Sequence, residues 1–162
     1  MSKHVINIAD VKLEPRPQQF APTGEAAQRF EARVGQVGRQ IGAKKLGYNI
    51  TAVPPGKRAY PFHNHRLNEE MFYVLEGRGE VRIGAETFPI RAGDFIACPP
   101  GGQELAHQIA NTGTGELKYL AVSTMRYPEV CEYPDSGKIG VIADSIRYVN
   151  RLDSQVGYWE GE

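Results

Sequence analysis

Eighteen glycines and eleven prolines cut these 162 residues into short pieces, and that punctuation constrains the fold more than any other feature. Glycine and proline cost a helix interior roughly 1 and 3 kcal/mol against alanine, so a chain divided this often cannot sustain long helices. The pieces between the cuts read as strands: "HVINI" (4–8), "LGYNITAV" (46–53), "EMFYVLEG" (70–77), "GEVRIG" (79–84), "DFIACP" (94–99), "HQIAN" (107–111) and "LKYLAVST" (117–124). Strands separated by turn signals every 8–12 residues or so predict an all-β sandwich or barrel. "EGRGE" (76–80) is a tight hairpin turn in which glycine supplies positive φ, and "AETFPIRAGD" (85–94) is a short strand ending in a second turn. "GEAAQRFEARVGQVGRQIGAKK" (24–45) admits a short helix followed by a strand, and periodicity alone does not choose.

Within this pattern, "PFHNHRLNEEMFYVLEG" (61–77) places two histidines one residue apart, followed by two glutamates. Side chains on a strand alternate between faces, so His63 and His65 share a face that Asn64 does not. Glu70, Phe72 and Val74 share a face of the next strand, and Met71, Tyr73 and Leu75 share the other. If "RLNE" turns one strand back on the other, the histidine pair and Glu70 converge. Imidazole and carboxylate together suit Zn, Fe, Mn, Ni or Co. A fourth candidate is His107, which opens a strand just after a Pro-Gly turn and so falls at the same end of a barrel.

These residues resemble the two motifs of the cupins, roughly G-x5-HxH-x3–4-E-x6-G and G-x5-P-x-G-x2-H-x3-N. The first runs here from Gly56 through His63, His65 and Glu70 to Gly77, and the second from Gly93 through Pro99, Gly101 and His107 to Asn111. The resemblance implies a single jelly-roll barrel, the double-stranded β-helix, over residues 46–124. An N-terminal extension with one or more strands (1–45) and a C-terminal extension (125–162) flank it, the latter packing on the barrel or on a partner subunit. It also implies that His63, His65, Glu70 and His107 hold one divalent transition metal per chain. Glu70 rather than Glu69 is the ligand, because only Glu70 keeps the six-residue interval to Gly77 and shares the face of Phe72 and Val74. Two departures stand out. Six residues rather than five separate Gly56 from His63, and "GGQELA" puts three extra residues between Gly101 and His107.

By the same resemblance the chain is similar to small bacterial cupins labelled mannose-6-phosphate isomerase-like. That implies a sugar or sugar-phosphate isomerase-like activity, with the metal as Lewis acid on a carbonyl oxygen. An iron-dependent dioxygenase, or a module that binds a small oxygenated acid without turnover, would use the same ligands. Glu104 is the candidate base. Lys57, Arg58, Tyr48, Phe72, Gln103 and Tyr119 are candidates for lining a substrate pocket.

Composition narrows the partners. Acidic and basic residues balance at 19 each, so no global field draws nucleic acid or anionic lipid. No run approaches the ~18 apolar residues of a membrane span, and "MSKHVINIAD" lacks the apolar core of a secretory signal. Cys98 and Cys131 form no CxxC pair and are too few for a disulfide scaffold. The expectation is a cytoplasmic protein with reduced thiols. Met71, Tyr73 and Leu75 face away from the candidate site yet are large and apolar. Something must cover them: the N-terminal strand, the tail "IRYVNRLDSQVGYWEGE" (146–162), or the second subunit of a homodimer.

Overall fold

The computed structural model describes residues 4–162 of the chain. The N-terminal part contributes two short strands, β1 (Glu14–Pro15) and β2 (Arg33–Gly35), and two one-turn helices, α1 (Glu25–Arg29) and α2 (Val37–Ile41). Then follow β3 (Leu46–Val53), β4 (Asn64–His65), β5 (Glu70–Glu76), β6 (Arg78–Ile83), β7 (Glu86–Arg91), β8 (Phe95–Cys98), β9 (His107–Ala110) and β10 (Leu117–Thr124). The C-terminal arm holds β11 (Glu129–Tyr133), β12 (Lys138–Ala143) and β13 (Ile146–Arg151).

A six-stranded sheet in the order β1-β2-β3-β10-β5-β8 faces a three-stranded sheet, β7-β6-β9, and a four-stranded sheet, β13-β12-β11-β4, extends the structure at one end. Among the described residues, all pairs between these strands are antiparallel. This is the all-β architecture that the strand spacing predicts and the jelly-roll that the resemblance implies. Alternation sends Val53, Phe72, Val74, Ile96, Leu117, Tyr119 and Ala121 inward from the large sheet, where they meet Val81, Ile90 and Ile109. Each large apolar side chain buried this way contributes roughly 1.5–3 kcal/mol. Among the described residues, no helix is long and apolar enough to cross a membrane.

The structure departs from the sequence pattern at both ends. "HVINI" forms no strand. Residues 4–7 are irregular and Ile8–Asp10 is a 3-10 turn, because the Asn7 side chain takes the Ala9 N–H (2.9 Å) and closes a local turn in place of a ladder. The ambiguous stretch 24–45 resolves into α1, β2 and α2. The outer face of β5 is covered only in part. Ile8, Val11 and Leu13 share a recess with Ile50 and Leu75, and Tyr73 packs on the exposed Phe95 ring at 4.5 Å. The tail runs elsewhere: residues 146–151 form the edge strand β13, paired to β12.

The hairpin between β5 and β6 turns at Gly77, whose φ is +82°. A Cβ there would press into the backbone carbonyl of Glu116, which has no room to withdraw. Strain of this kind costs on the order of 1–3 kcal/mol before the clash is added. Gly77→Ala is therefore expected to lower stability by at least ~2 kcal/mol and the melting temperature by ~5 °C or more, measured by circular dichroism.

Candidate metal centre

The two candidate motifs meet through the backbone. His63 and His107 stand opposite each other as an antiparallel pair, His63 N–H donating to His107 O (3.2 Å) and His107 N–H to His63 O (2.8 Å). The three extra residues before His107 do not displace it. They coil into a 3-10 turn, Gln103–Leu105, and Leu105 lies against Gly101. Gly101 N–H in turn donates to His65 O (2.8 Å), and the Asn64 amide donates to Gly101 O (2.9 Å). The inserted loop is thus tied to the strand that carries the first histidine pair.

From this frame three imidazoles point at one oxygen. The Nε2 atoms of His107, His65 and His63 lie 3.0, 3.4 and 3.9 Å from Glu70 Oε2. Two ligand atoms about 2.1 Å from an ion and at right angles to each other are about 3.0 Å apart, so the spacing suits a common cation. His63 donates its Nδ1 hydrogen to Pro61 O (2.8 Å), which leaves Nε2 bare toward Glu70. His65 Nε2 is buried with no hydrogen-bond partner, although Glu70 lies beside it. A buried nitrogen aimed at a carboxylate and left unpaired is what a metal ligand looks like before the ion is added. His63, Glu70 and His107 each bring one ligand atom within 4.8 Å of the others. The donor set therefore fits a divalent ion. His63, His65 and Glu70 keep 14, 15 and 18% of their side chains exposed against 4% for His107, so the pocket opens on the side away from His107.

The charges follow from the same geometry. Burial opposes ionisation of Glu70, but the hydrogen bond with His107 and the nearby His65 and His63 imidazoles outweigh it and hold the carboxyl well below its usual range. Burial, with His107 beside it, pushes His63 down to about 4. Burial also disfavours the His65 cation, yet contacts with Cys131 and Glu70 carry it up to about 10.

Phe72 and Tyr119 form the floor, with ring centroids 5.6 Å from His107 to Phe72 and 5.7 Å from Phe72 to Tyr119. Cys98 is buried and pairs across the sheet with Glu70; burial, with Glu70 adding to it, pushes its thiol up to about 12. The other sequence candidates lie farther out. Tyr48 is on the outer face of β3, and its backbone lies against Gly38 in α2. Lys57 donates to Ala27 O (3.2 Å) and Gln28 O (2.9 Å), tying down α1. Arg58 lines a cavity of about 680 Å³ outside the barrel, with Arg16, Tyr60, Arg82 and Gln108 and none of the four candidate ligands. Gln103 and Glu104 are exposed, and Glu104 accepts from Gly102 N–H (3.0 Å). Glu69 is exposed as well.

Sequence reasoning missed the contribution of β11. Tyr133 stacks on His63 at 6.1 Å, Cys131 Sγ is 3.3 Å from His65 Nδ1, and Glu129 lies 3.5 Å from the same atom. The alternation in "EVCEY" (129–133) marks a strand with Glu129, Cys131 and Tyr133 on one face. Only the pairing of Cys131 with His65 in β4 shows what that face meets.

Comparison with known proteins agrees with the geometry. Residues 49–123 match the family model of the cupin domain, a stretch that includes both motifs. An uncharacterized protein of Methanocaldococcus jannaschii is 39% identical over 75 residues, covering 46% of this chain and 57% of that protein. An oxalate-binding protein of Thermotoga maritima is 36% identical over 70 residues, covering 43% of this chain and 54% of that protein. The matched stretch spans about half the length of these curated relatives. A solved structure of a sugar phosphate isomerase of the cupin superfamily, from Silicibacter pomeroyi, superposes with a TM-score of 0.78. It covers 93% of this chain and 94% of its own at 22% identity, a likeness of fold. Residues 49–123 are a cupin domain, and the described chain has the fold of the solved cupin-superfamily structure.

The last motif residue, Asn111, is explained by structure alone. It is 1% exposed, donates to Val53 O (2.7 Å) and Gly115 O (2.8 Å), and accepts from Gly113 N–H (2.9 Å). Asn111→Ala strands these buried groups, at roughly 1–3 kcal/mol each. The variant is expected to lose ~3 kcal/mol in chemical denaturation.

Proposed function

We propose that His63, His65, Glu70 and His107 bind one divalent transition metal per chain, and that the site acts on a small oxygenated molecule, with a sugar or sugar phosphate as the favoured substrate class. The observation that carries this reading is the convergence of three imidazole Nε2 atoms on Glu70 Oε2, one of them buried and unpaired. A bound ion would supply Lewis acidity toward a carbonyl oxygen, the chemistry an aldose–ketose isomerisation needs. The chain supplies the rest. The buried floor of Phe72 and Tyr119 keeps water from beneath the ligands, and the Tyr60 and Tyr133 rings, 6.3 and 6.1 Å from His63, offer flat walls. Glu104, the candidate base, is exposed, and one of its carboxylate oxygens accepts from Gly102 N–H (3.0 Å).

The Silicibacter pomeroyi structure supports the sugar-phosphate class, and the oxalate-binding relative supports a second reading, binding of a small acid without turnover. A homodimer belongs to the same proposal. Ile146, Tyr148 and Val149 are exposed on the edge strand β13, and Phe95 on β8 is exposed too. Such apolar surface is what a second subunit covers.

Elemental analysis of purified protein is expected to find about one metal ion per chain, and His107→Ala is expected to lose most of it. A wild type that neither carries nor takes up metal would sink the metal site. The loaded protein, incubated with aldose and ketose phosphates in deuterated water, is expected to interconvert them and place deuterium beside the carbonyl carbon, read by NMR. Binding of oxalate without any turnover would establish the second reading, and oxygen consumption with a substrate oxidised would replace both with a dioxygenase.

A further inference from the structure

Beside the ligand set lies a second carboxylate with a different environment. Glu129, at the start of β11 and outside the stretch that matches the cupin domain, is 2% exposed. Its Oε1 accepts from the backbone N–H groups of Arg66 (3.0 Å), Leu67 (3.2 Å) and Val130 (2.8 Å). Its Oε2 accepts from Asn68 N–H (2.8 Å) and from the Asn68 side-chain amide. The link between His65 and Glu70 is therefore wrapped around one buried anion. Asn68 is locked again on its far side, its amide donating to Arg126 O (3.0 Å) and its Oδ1 accepting from Arg126 N–H (2.8 Å).

The same Oε2 lies 3.5 Å from His65 Nδ1, with Cys131 Sγ at 3.3 Å from that nitrogen. Backbone pairing fixes this approach, since Cys131 stands opposite His65 and Arg66 N–H donates to Val130 O (2.9 Å). His65 thus has an acceptor pair on its Nδ1 side and nothing hydrogen-bonded at Nε2, the atom 3.4 Å from Glu70. His65, Glu129 and Cys131 also lie close enough together to form a three-ligand set of their own. Five N–H donors already occupy the lone pairs of Glu129, so the carboxylate is committed to the link and not to a second ion; it faces His65 Nδ1 as a fixed negative charge at 3.5 Å, beside the Cys131 Sγ that hydrogen-bonds that nitrogen.

We propose that Glu129 is a positioning residue for the metal centre: it holds the 66–68 link and keeps the His65 Nδ1 hydrogen on the β11 side, so that Nε2 presents a bare lone pair to the ion. Partners of this kind orient metal-ligating histidines and set their tautomer. The role rests on the metal reading above, and the test separates the two.

Zinc affinity is measured by competition with a chromophoric chelator for the wild type, Glu129→Gln and Cys131→Ser, with far-UV circular dichroism as a check on folding. Glu129→Gln keeps the size of the side chain but turns an N–H donor toward Asn68 and His65. It is expected to bind zinc ~10–100-fold more weakly, while Cys131→Ser stays within about threefold of the wild type. Long-range proton–nitrogen NMR of zinc-loaded wild type, which needs no variant to fold, is expected to show His65 protonated at Nδ1. A wild type that takes up no zinc overturns the metal reading and the positioning role with it. Zinc binding by the wild type beside equal binding by Glu129→Gln, or His65 protonated at Nε2, overturns the positioning role alone.

Discussion

The reciprocal backbone hydrogen bonds between His63 and His107 are the joint on which the pocket depends. They fasten the loop after β3 to the first residue of β9, a strand of the small sheet, at the point where the barrel must close. Backbone polar groups this deep must be paired, and here the pairing also brings the first and second motifs together. Glu70 then enters from the large sheet through the pleat of β5, which turns Glu70, Phe72 and Val74 inward. The pocket is the meeting of three separately determined directions.

Much of this was legible before any coordinates. The spacing of His63 and His65, the parity that separates Glu70 from Glu69, and the turn before His107 are local properties, and strand geometry converts them into directions. The residues inserted in "GGQELA" coil within the loop and leave the strand register downstream untouched. Reading failed where a polar side chain offered the backbone another partner. Asn7 captures Ala9 N–H and turns a strand-like run into a 3-10 turn, and Lys57, which reads as a free cation near the site, spends its ammonium on the last carbonyls of α1. Glu129 and Cys131 were invisible for a different reason. They follow His65 by more than sixty residues, and only the register between β4 and β11 brings them to it.

The site holds two carboxylates, Glu129 buried and Glu70 half-buried, whose surroundings divide their work. Glu129 is held by four backbone N–H groups and one side-chain amide, donors that cannot give up a proton at any ordinary pH, and no exchange of partners is open to it. Glu70 is met by imidazoles, whose nitrogens can give up a hydrogen and present a lone pair to a cation. One carboxylate is thereby fixed as scaffold and the other left able to change its company. Burying an anion costs several kcal/mol unless its lone pairs are filled, so each solution has to be nearly complete. At Glu129 completeness comes from the backbone and is permanent. At Glu70 the unpaired Nε2 of His65 leaves it one partner short, and that gap is where an ion has a reason to bind.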